Sequence, residues 1–335
     1  MSSPAATPEA PAPIGEVSID RRPSKRRMLI IVNPYATTVS DRLKSLVVYA
    51  LQGRYEVEAV STEAQNHATE IGREAVDGGY DVVVAFGGDG TLNEVANGLA
   101  GTDIPVSVLP GGSTNVVART LGIPNDVVDA TEHLLGCADS FEPRTIDLGV
   151  ANGRRFVFAC GAGLDATAAQ RVDAHPRMKS RFGPYFYTYA TIRGFYGKYL
   201  RNPVRMKVET AAGSSEGVTA ICQNSDPYTY FRGREMRVCE SIAIDNGTIS
   251  VAVLRRAAQR DVPFIAARVL GKRSAAGDHR QIAQFEGLAE ARIESASRDA
   301  DGGWRRFPVE VDGDYIGEHG ELDLAVDAGA LKIIA

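Results

Sequence analysis

Apolar and polar positions follow two different rhythms along the chain, and the change falls near Phe141. Before it, short apolar runs alternate with segments whose apolar residues recur three and four apart, the spacing of one helix face. The runs "MLIIVNP" (Met28–Pro34), "YEVEAVST", "VVVAF" (Val82–Phe86) and "IPVSVLP" read as strands. The segments "DRLKSLVVYALQGR", "AQNHATEIGREAVDGG", "TLNEVANGL", "STNVVARTLGIP" and "VVDATEHLLGC" read as helices, two of them stopped by Gly53 and by Gly78-Gly79. Strands and helices in alternation predict a doubly wound α/β domain over 28–140, with a parallel sheet and its ligand at the carboxyl ends of the strands.

After Phe141 the period drops to two. "RTIDLGVANGRRFVFACGAG" carries strands around Asn152-Gly153, a hairpin signal, because both turn residues must take positive φ. Short β candidates follow: "VRMKVETAAG", "GVTAICQNS", "GTISVAVLRR", "EARIESA", "FPVEVDGDYIGE" and "ELDLAVDAGALKII", with one helical segment at "VPFIAARVLGKR". This predicts a mainly antiparallel β-rich domain, a sandwich or barrel, over 141–335. The cleft between the two domains is the expected site.

Composition narrows the class. The 335 residues, 44% hydrophobic and 24% charged, are those of an ordinary globular protein with room for two cores. A net charge of −5 gives no footprint for nucleic acid. Cys137, Cys160, Cys222 and Cys239 form no CxxC pair, and the five histidines no metal spacing, so reduced thiols in a cytoplasmic protein are expected. No run approaches the ~20 apolar residues of a membrane span. Residues 1–27 read as a disordered Pro/Ala-rich tail without signal-peptide features, and its "RRPSKRR" as a solvated linker rather than a contact with anionic membrane.

Three successive parallel strands end in small polar residues: Asn33 to Ser40, Gly87-Gly88-Asp89-Gly90-Thr91, and Gly111-Gly112-Ser113-Thr114. Bare loops before helix N-termini let an anion reach unpaired amides. One such turn is ordinary, but three on one sheet edge predict a polyphosphate site. Asp89 would repel that anion unless a divalent cation lies between them.

"NPYATT", "GGDGTLNEVANGL" and "PGGSTNVVAR" resemble the three nucleotide-site motifs of the diacylglycerol kinase catalytic domain family, which includes bacterial lipid kinases and the sphingosine and ceramide kinases. The resemblance extends through "TIDLG" and "VEVDGDYIG". It implies the two-domain fold shared with NAD kinases, with ATP contacts from Asn33, Pro34, Tyr35, Ala36, Thr37 and Thr62, from Gly88, Asp89, Gly90, Thr91, Leu92, Asn93 and Glu94, and from Ser113. It implies Mg²⁺ at Asp89, and a second, structural Mg²⁺ at Asn246 with the Ala243 and Thr248 carbonyls. Asp147 would support the site between the domains. The base that takes the proton of the acceptor hydroxyl would be Asp314, in a segment shared with Asp312, or Glu318 if the alignment slips. Read as residues alone, "VDGDY" fits a hairpin turn equally well.

The chain departs from the family pattern in several places: Ser113 replaces a threonine, Asp314 a glutamate, and Asn246 an aspartate, while the glycine usual after Asn-Pro is missing. Residues 177–207 hold eight Lys/Arg and no acid, with Phe182, Tyr185, Tyr189, Ile192, Tyr196 and Tyr199 three or four apart. Such a stripe suits either a membrane interface or a core. The expected function is transfer of the ATP γ-phosphate to diacylglycerol or a similar lipid at a membrane surface. The alternatives are an NAD kinase-like phosphotransferase, disfavoured by Ser-Thr-Asn-Val in the second loop, and a non-catalytic nucleotide- or lipid-binding protein. A homodimer is left open.

Overall fold

The computed structural model describes residues 25–335 except 176, 179–181, 232, 240–241 and 270–278. Most of the expected tail, residues 1–24, therefore lies outside the described residues. The first strand, β1 (Arg26–Val32), begins earlier than its apolar run because two arginines find partners. Arg26 donates to the Ala138 carbonyl at 2.9 Å and stacks over Phe141, while the Arg27 guanidinium donates to the Gly78 carbonyl at 2.5 Å and stacks over Tyr80. Their charges are spent on the fold.

There follow α1 (Asp41–Leu51), β2 (Tyr55–Ser61), α2 (His67–Asp77), β3 (Val82–Gly87), α3 (Asp89–Leu99), β4 (Val106–Pro110), α4 (Val116–Thr120) and α5 (Val127–Ser140). The strands pair in parallel in the order β2-β1-β3-β4. Every residue of β3 is buried, as its unbroken apolar run requires. Helix α1 packs on α5 and α2 on α3.

Next come β5 (Arg144–Ala151), β6 (Arg154–Phe156), β7 (Ala159–Gly163), α6 (Leu164–Asp173), α7 (Pro184–Gly194), a π-helical turn at Phe195–Tyr199, and β8 (Met206–Thr210). Asn152 and Gly153 take positive φ in the β5–β6 hairpin, as their sequence requires. The remaining elements are β9 (Gly213–Gly217), β10 (Thr219–Gln223), β11 (Thr229–Phe231), β12 (Arg234–Met236), β13 (Ile249–Leu254), α8 (Val262–Val269), β14 (Ile282–Leu288), β15 (Glu290–Ser295), β16 (Phe307–Val311), β17 (Asp314–His319) and β18 (Glu321–Ile333).

An antiparallel sheet, β14-β13-β10-β7-β16-β17, faces the antiparallel half of a ten-stranded sheet. Cys222, Val251 and Val309 meet Val208, Ile293 and Leu322 in a sandwich core. The larger sheet is continuous with the first domain. Strand β18 lies beside β4, pairing Ile333 with Val106, and Leu331, Ile333 and Ile334 enter the first domain's core. The larger sheet thus runs across the boundary expected at 140, because β18 returns to lie beside β4.

Candidate functional site

The carboxyl ends of β1, β3 and β4 meet as three loops joined by backbone bonds. The Asn33 amide donates to Phe86 O at 2.9 Å, Gly111 to Gly87 O at 2.7 Å, and Thr38 to Gly111 O at 3.1 Å. A Cβ on Gly112 would lie 2.8 Å from Gly88 Cα, so the two glycine loops touch backbone to backbone. Asn33 donates through Nδ2 to Thr91 Oγ1 at 3.1 Å and accepts the Tyr35 amide, fixing the first loop to α3. Asn115, at φ 50°, closes the second glycine loop by exchanging bonds with the Gly112 amide and carbonyl, 2.9 Å each.

Asp89 is half-buried between these loops. It accepts the Val117 amide at 3.2 Å, and burial pushes its carboxyl up against the opposing pull of the Val116, Val117 and Asn115 amides. It thereby caps α4 as well as facing the cleft. Glu94 accepts the Asn66 and Ala68 amides at 2.8 and 3.1 Å, supplying α2 with the cap that its own N-terminus lacks.

A cavity of about 1140 Å³ opens between the domains. Asn33, Tyr35, Ala36, Thr37, Thr62, Gly88, Asp89, Gly90, Thr91, Glu94 and Ser113 line it from the first domain, and Asp312 and Asp314 from the second. Three expected contacts lie elsewhere. Leu92 is in the core, Pro34 points to solvent, and buried Asn93 donates to Asp312 Oδ2 at 2.7 Å and to Arg155 O. Asn93 ties the domains together rather than lining the cleft.

Asp312 and Gly313, at φ 50° and 87°, form the two-residue turn between β16 and β17. The segment is therefore a hairpin and part of the site at once. The Asp312 carboxylate accepts the Val157 amide at 2.7 Å, Phe158 at 2.9 Å, Ala159 at 3.1 Å and Asn93. Burial lifts its carboxyl to about 6 against these four donors. So enclosed, Asp312 positions the turn. Asp314 follows, and its carboxylate lies directly over Gly90, where any Cβ would collide with it. Glu318 is exposed on β17 outside the cavity, so it does not stand in for Asp314.

Asp147 is buried away from the cavity. It accepts the Gly247 amide at 2.5 Å and the Gly329 amide at 2.8 Å, bracketing a turn and the β18 irregularity. Asn246 is exposed, and its Oδ1 accepts the Thr248 amide and hydroxyl at 3.1 and 3.0 Å. A neutral oxygen already engaged in its own turn, with Asp147 committed elsewhere, does not fit a Mg²⁺ that prefers carboxylates. Among the described residues no group of three or more His, Cys, Asp or Glu could hold a metal.

Asp89 fits such an ion better, offering one carboxylate at a wall with room for phosphate and water oxygens. Asp89, Glu94, Asp165, Asp173, Glu310, Asp312 and Asp314 line the cavity, with no Lys, Arg or His among the described lining residues.

No local pattern in the sequence marks Asp165, Glu310, Tyr187 or Tyr228. Glu310 lies two residues before Asp312 on β16, and Asp165 opens α6, an unexpected helix. The Tyr187 and Tyr228 hydroxyls both donate to Asp165, the first at 3.0 Å. Helix α7 walls the cavity with Thr188, Thr191 and Ile192 and turns Tyr185 (57% exposed) and Tyr189 (53%) outward. Tyr199, at 1%, leaves the expected stripe for the interior. Lys179 and Arg181 of the basic segment lie outside the described residues.

Fold and cleft together define a class: an α/β domain with converging glycine loops, facing a β-sandwich that inserts a carboxylate. Residues 27–149 match the model of the diacylglycerol kinase catalytic domain. The chain is 34% identical over 194 residues to a diacylglycerol kinase of Staphylococcus aureus (strain bovine RF122 / ET3-1), covering 55% of this chain and 57% of that one. It is 38% identical over 146 residues to a diacylglycerol kinase of Bacillus subtilis (strain 168), covering 41% and 46%. These matches span only about half the length of the relatives. A crystal structure of a diacylglycerol kinase from Bacillus anthracis str. Sterne superposes with a TM-score of 0.67 at 19% identity, over 92% of this chain and 96% of that one, a likeness of fold.

Proposed function

We propose that the protein is an ATP-dependent lipid kinase that phosphorylates the hydroxyl of diacylglycerol or a similar lipid. The observation that carries this reading is the Asp314 carboxylate, held over Gly90 at the mouth of the glycine loops. A phosphoryl donor and a proton acceptor then face one cavity. The loop amides of residues 88–91 and 112–114 bind and orient the phosphates. Asp89 would hold Mg²⁺, which would supply positive charge that the described cavity lining lacks. Asp314 accepts the proton of the lipid hydroxyl as that oxygen bonds to the γ-phosphorus. The bond from the γ-phosphorus to its bridging oxygen breaks, and ADP leaves.

The lipid reading is supported by α7 and its flanks, which expose Phe182, Tyr185, Tyr189 and Tyr196 beside a cavity wall containing Ile192. Aromatic residues at a rim suit peripheral contact with a bilayer. No helix among the described residues is long and apolar enough to cross a membrane. Incubation with γ-labelled ATP, Mg²⁺ and a total lipid extract, with NAD offered in parallel, tests the reading. A labelled lipid is expected; label on NAD alone, or on nothing, contradicts it.

A further inference from the structure

Asp314 stands between two backbone amides, and a carboxyl group holds each. The Gly313 amide donates to Glu310 Oε2 at 2.7 Å, and the Tyr315 amide to Asp173 Oδ2 at 3.0 Å. Asp173 is the last residue of α6, and Asp165 lies at the other end of the same helix. The Glu310 and Asp165 carboxyl groups face each other across the space left open by Gly161. A Cβ there would lie 2.5 Å from Glu310 Oε1 and 2.9 Å from Asp165 Oδ2.

Two carboxyl groups bond to each other only when one carries a proton. Among the described residues lining the cavity there is no Lys, Arg or His to offset a second charge. Tyr187 and Tyr228 both donate to Asp165, which favours charge on Asp165 and leaves the proton on Glu310. Burial, and next the Asp165 charge, raise the Glu310 carboxyl well above its ordinary range. The other groups facing the pair are Cys160 from β7 and Asp312 from the turn. Burial pushes the Cys160 thiol and both tyrosines upward, so they remain neutral, and charge on Asp312 favours the proton on Glu310 further.

We propose that Glu310, protonated against Asp165, is a positioning residue that fastens the catalytic hairpin to α6 and so fixes Asp314. The proposal rests on the reading of Asp314 as the base. With the proton present, one carboxyl oxygen holds the Gly313 amide while the hydroxyl holds Asp165. At alkaline pH the proton leaves, two like charges meet, and the hairpin loosens.

Glu310→Gln preserves both bonds without titrating, and Glu310→Ala preserves neither. Because the folded state keeps a proton that the unfolded state releases, wild-type stability falls as pH rises above the ordinary glutamate range. The melting temperature of Glu310→Gln relative to wild type should therefore climb between pH 5 and pH 9; a constant difference overturns the shared proton. Hydrogen exchange of the 312–316 segment should quicken in Glu310→Ala and return in Glu310→Gln; equal exchange in all three overturns the positioning. With γ-labelled ATP and diacylglycerol vesicles, Glu310→Ala should lower kcat by about 10²-fold at unchanged KM for ATP. Glu310→Gln should recover most of that loss and flatten the alkaline limb of the wild-type profile. An identical alkaline limb in Glu310→Gln contradicts the proposal. Unimpaired transfer by Asp314→Asn would instead overturn the base assignment, leaving the melting and exchange results to stand. Should Glu310→Ala not fold, the Gln pH comparison decides.

Discussion

At the scale of single residues, the site depends on where each carboxylate is held. Asp312 and Asp314 are two apart in sequence, yet four donors enclose the first while the second reaches Gly90 across the domain gap. Gly90 lies inside α3, where alanine would be the better helix former by about 0.5–1 kcal/mol. Gly90→Ala is expected to keep or raise the melting temperature while displacing the Asp314 carboxylate and lowering turnover about 10²-fold; calorimetry beside a rate assay checks the split. Because burial raises the Asp312 carboxyl to about 6, its contribution to stability is full below pH 4 and is lost as pH rises through 6. Asp312→Asn should flatten that slope in melting curves. It should also cost about 3 kcal/mol at pH 7, since its amide nitrogen would face amide donors. Asp89 and Asp314 were legible in the sequence because strand-end glycines and a hairpin turn frame them. Glu310 and Asp165 were not, because nothing local marks two carboxyls that meet only through the fold.

At the scale of elements, the loops after β1, β3 and β4 could be read from their apolar runs and glycines, since period and turn chemistry agree there. Helix α6 could not. Its sequence, "LDATAAQRVD", buries only alanines and one valine, and so shows no strong apolar stripe. The spacing of its neighbour α7 predicts one continuous stripe, but the π-helical turn that follows rotates Tyr199 into the interior. Replacing Tyr185 and Tyr189 with serine removes exposed apolar surface without opening the core. Such a variant should melt near wild type yet sediment less with diacylglycerol-containing vesicles; unchanged sedimentation would remove α7 from the membrane contact.

At the scale of the whole molecule, β18 binds the two halves into one sheet, and this was not legible because its pattern reads as an ordinary antiparallel strand. Ile333 is buried in the first domain's core although it lies two residues from the chain end. Ile333→Ala is expected to lower stability by about 2–5 kcal/mol and to shift both domains together in a denaturant titration. The cleft depends on that union, since Gly90 and Asp314 come from opposite halves. The most direct test measures Mg²⁺–ATP binding and label transfer to dispersed diacylglycerol for wild type and Asp314→Asn side by side. The account predicts similar nucleotide affinity and transfer only by the wild type; a variant that transfers label at the wild-type rate would contradict it.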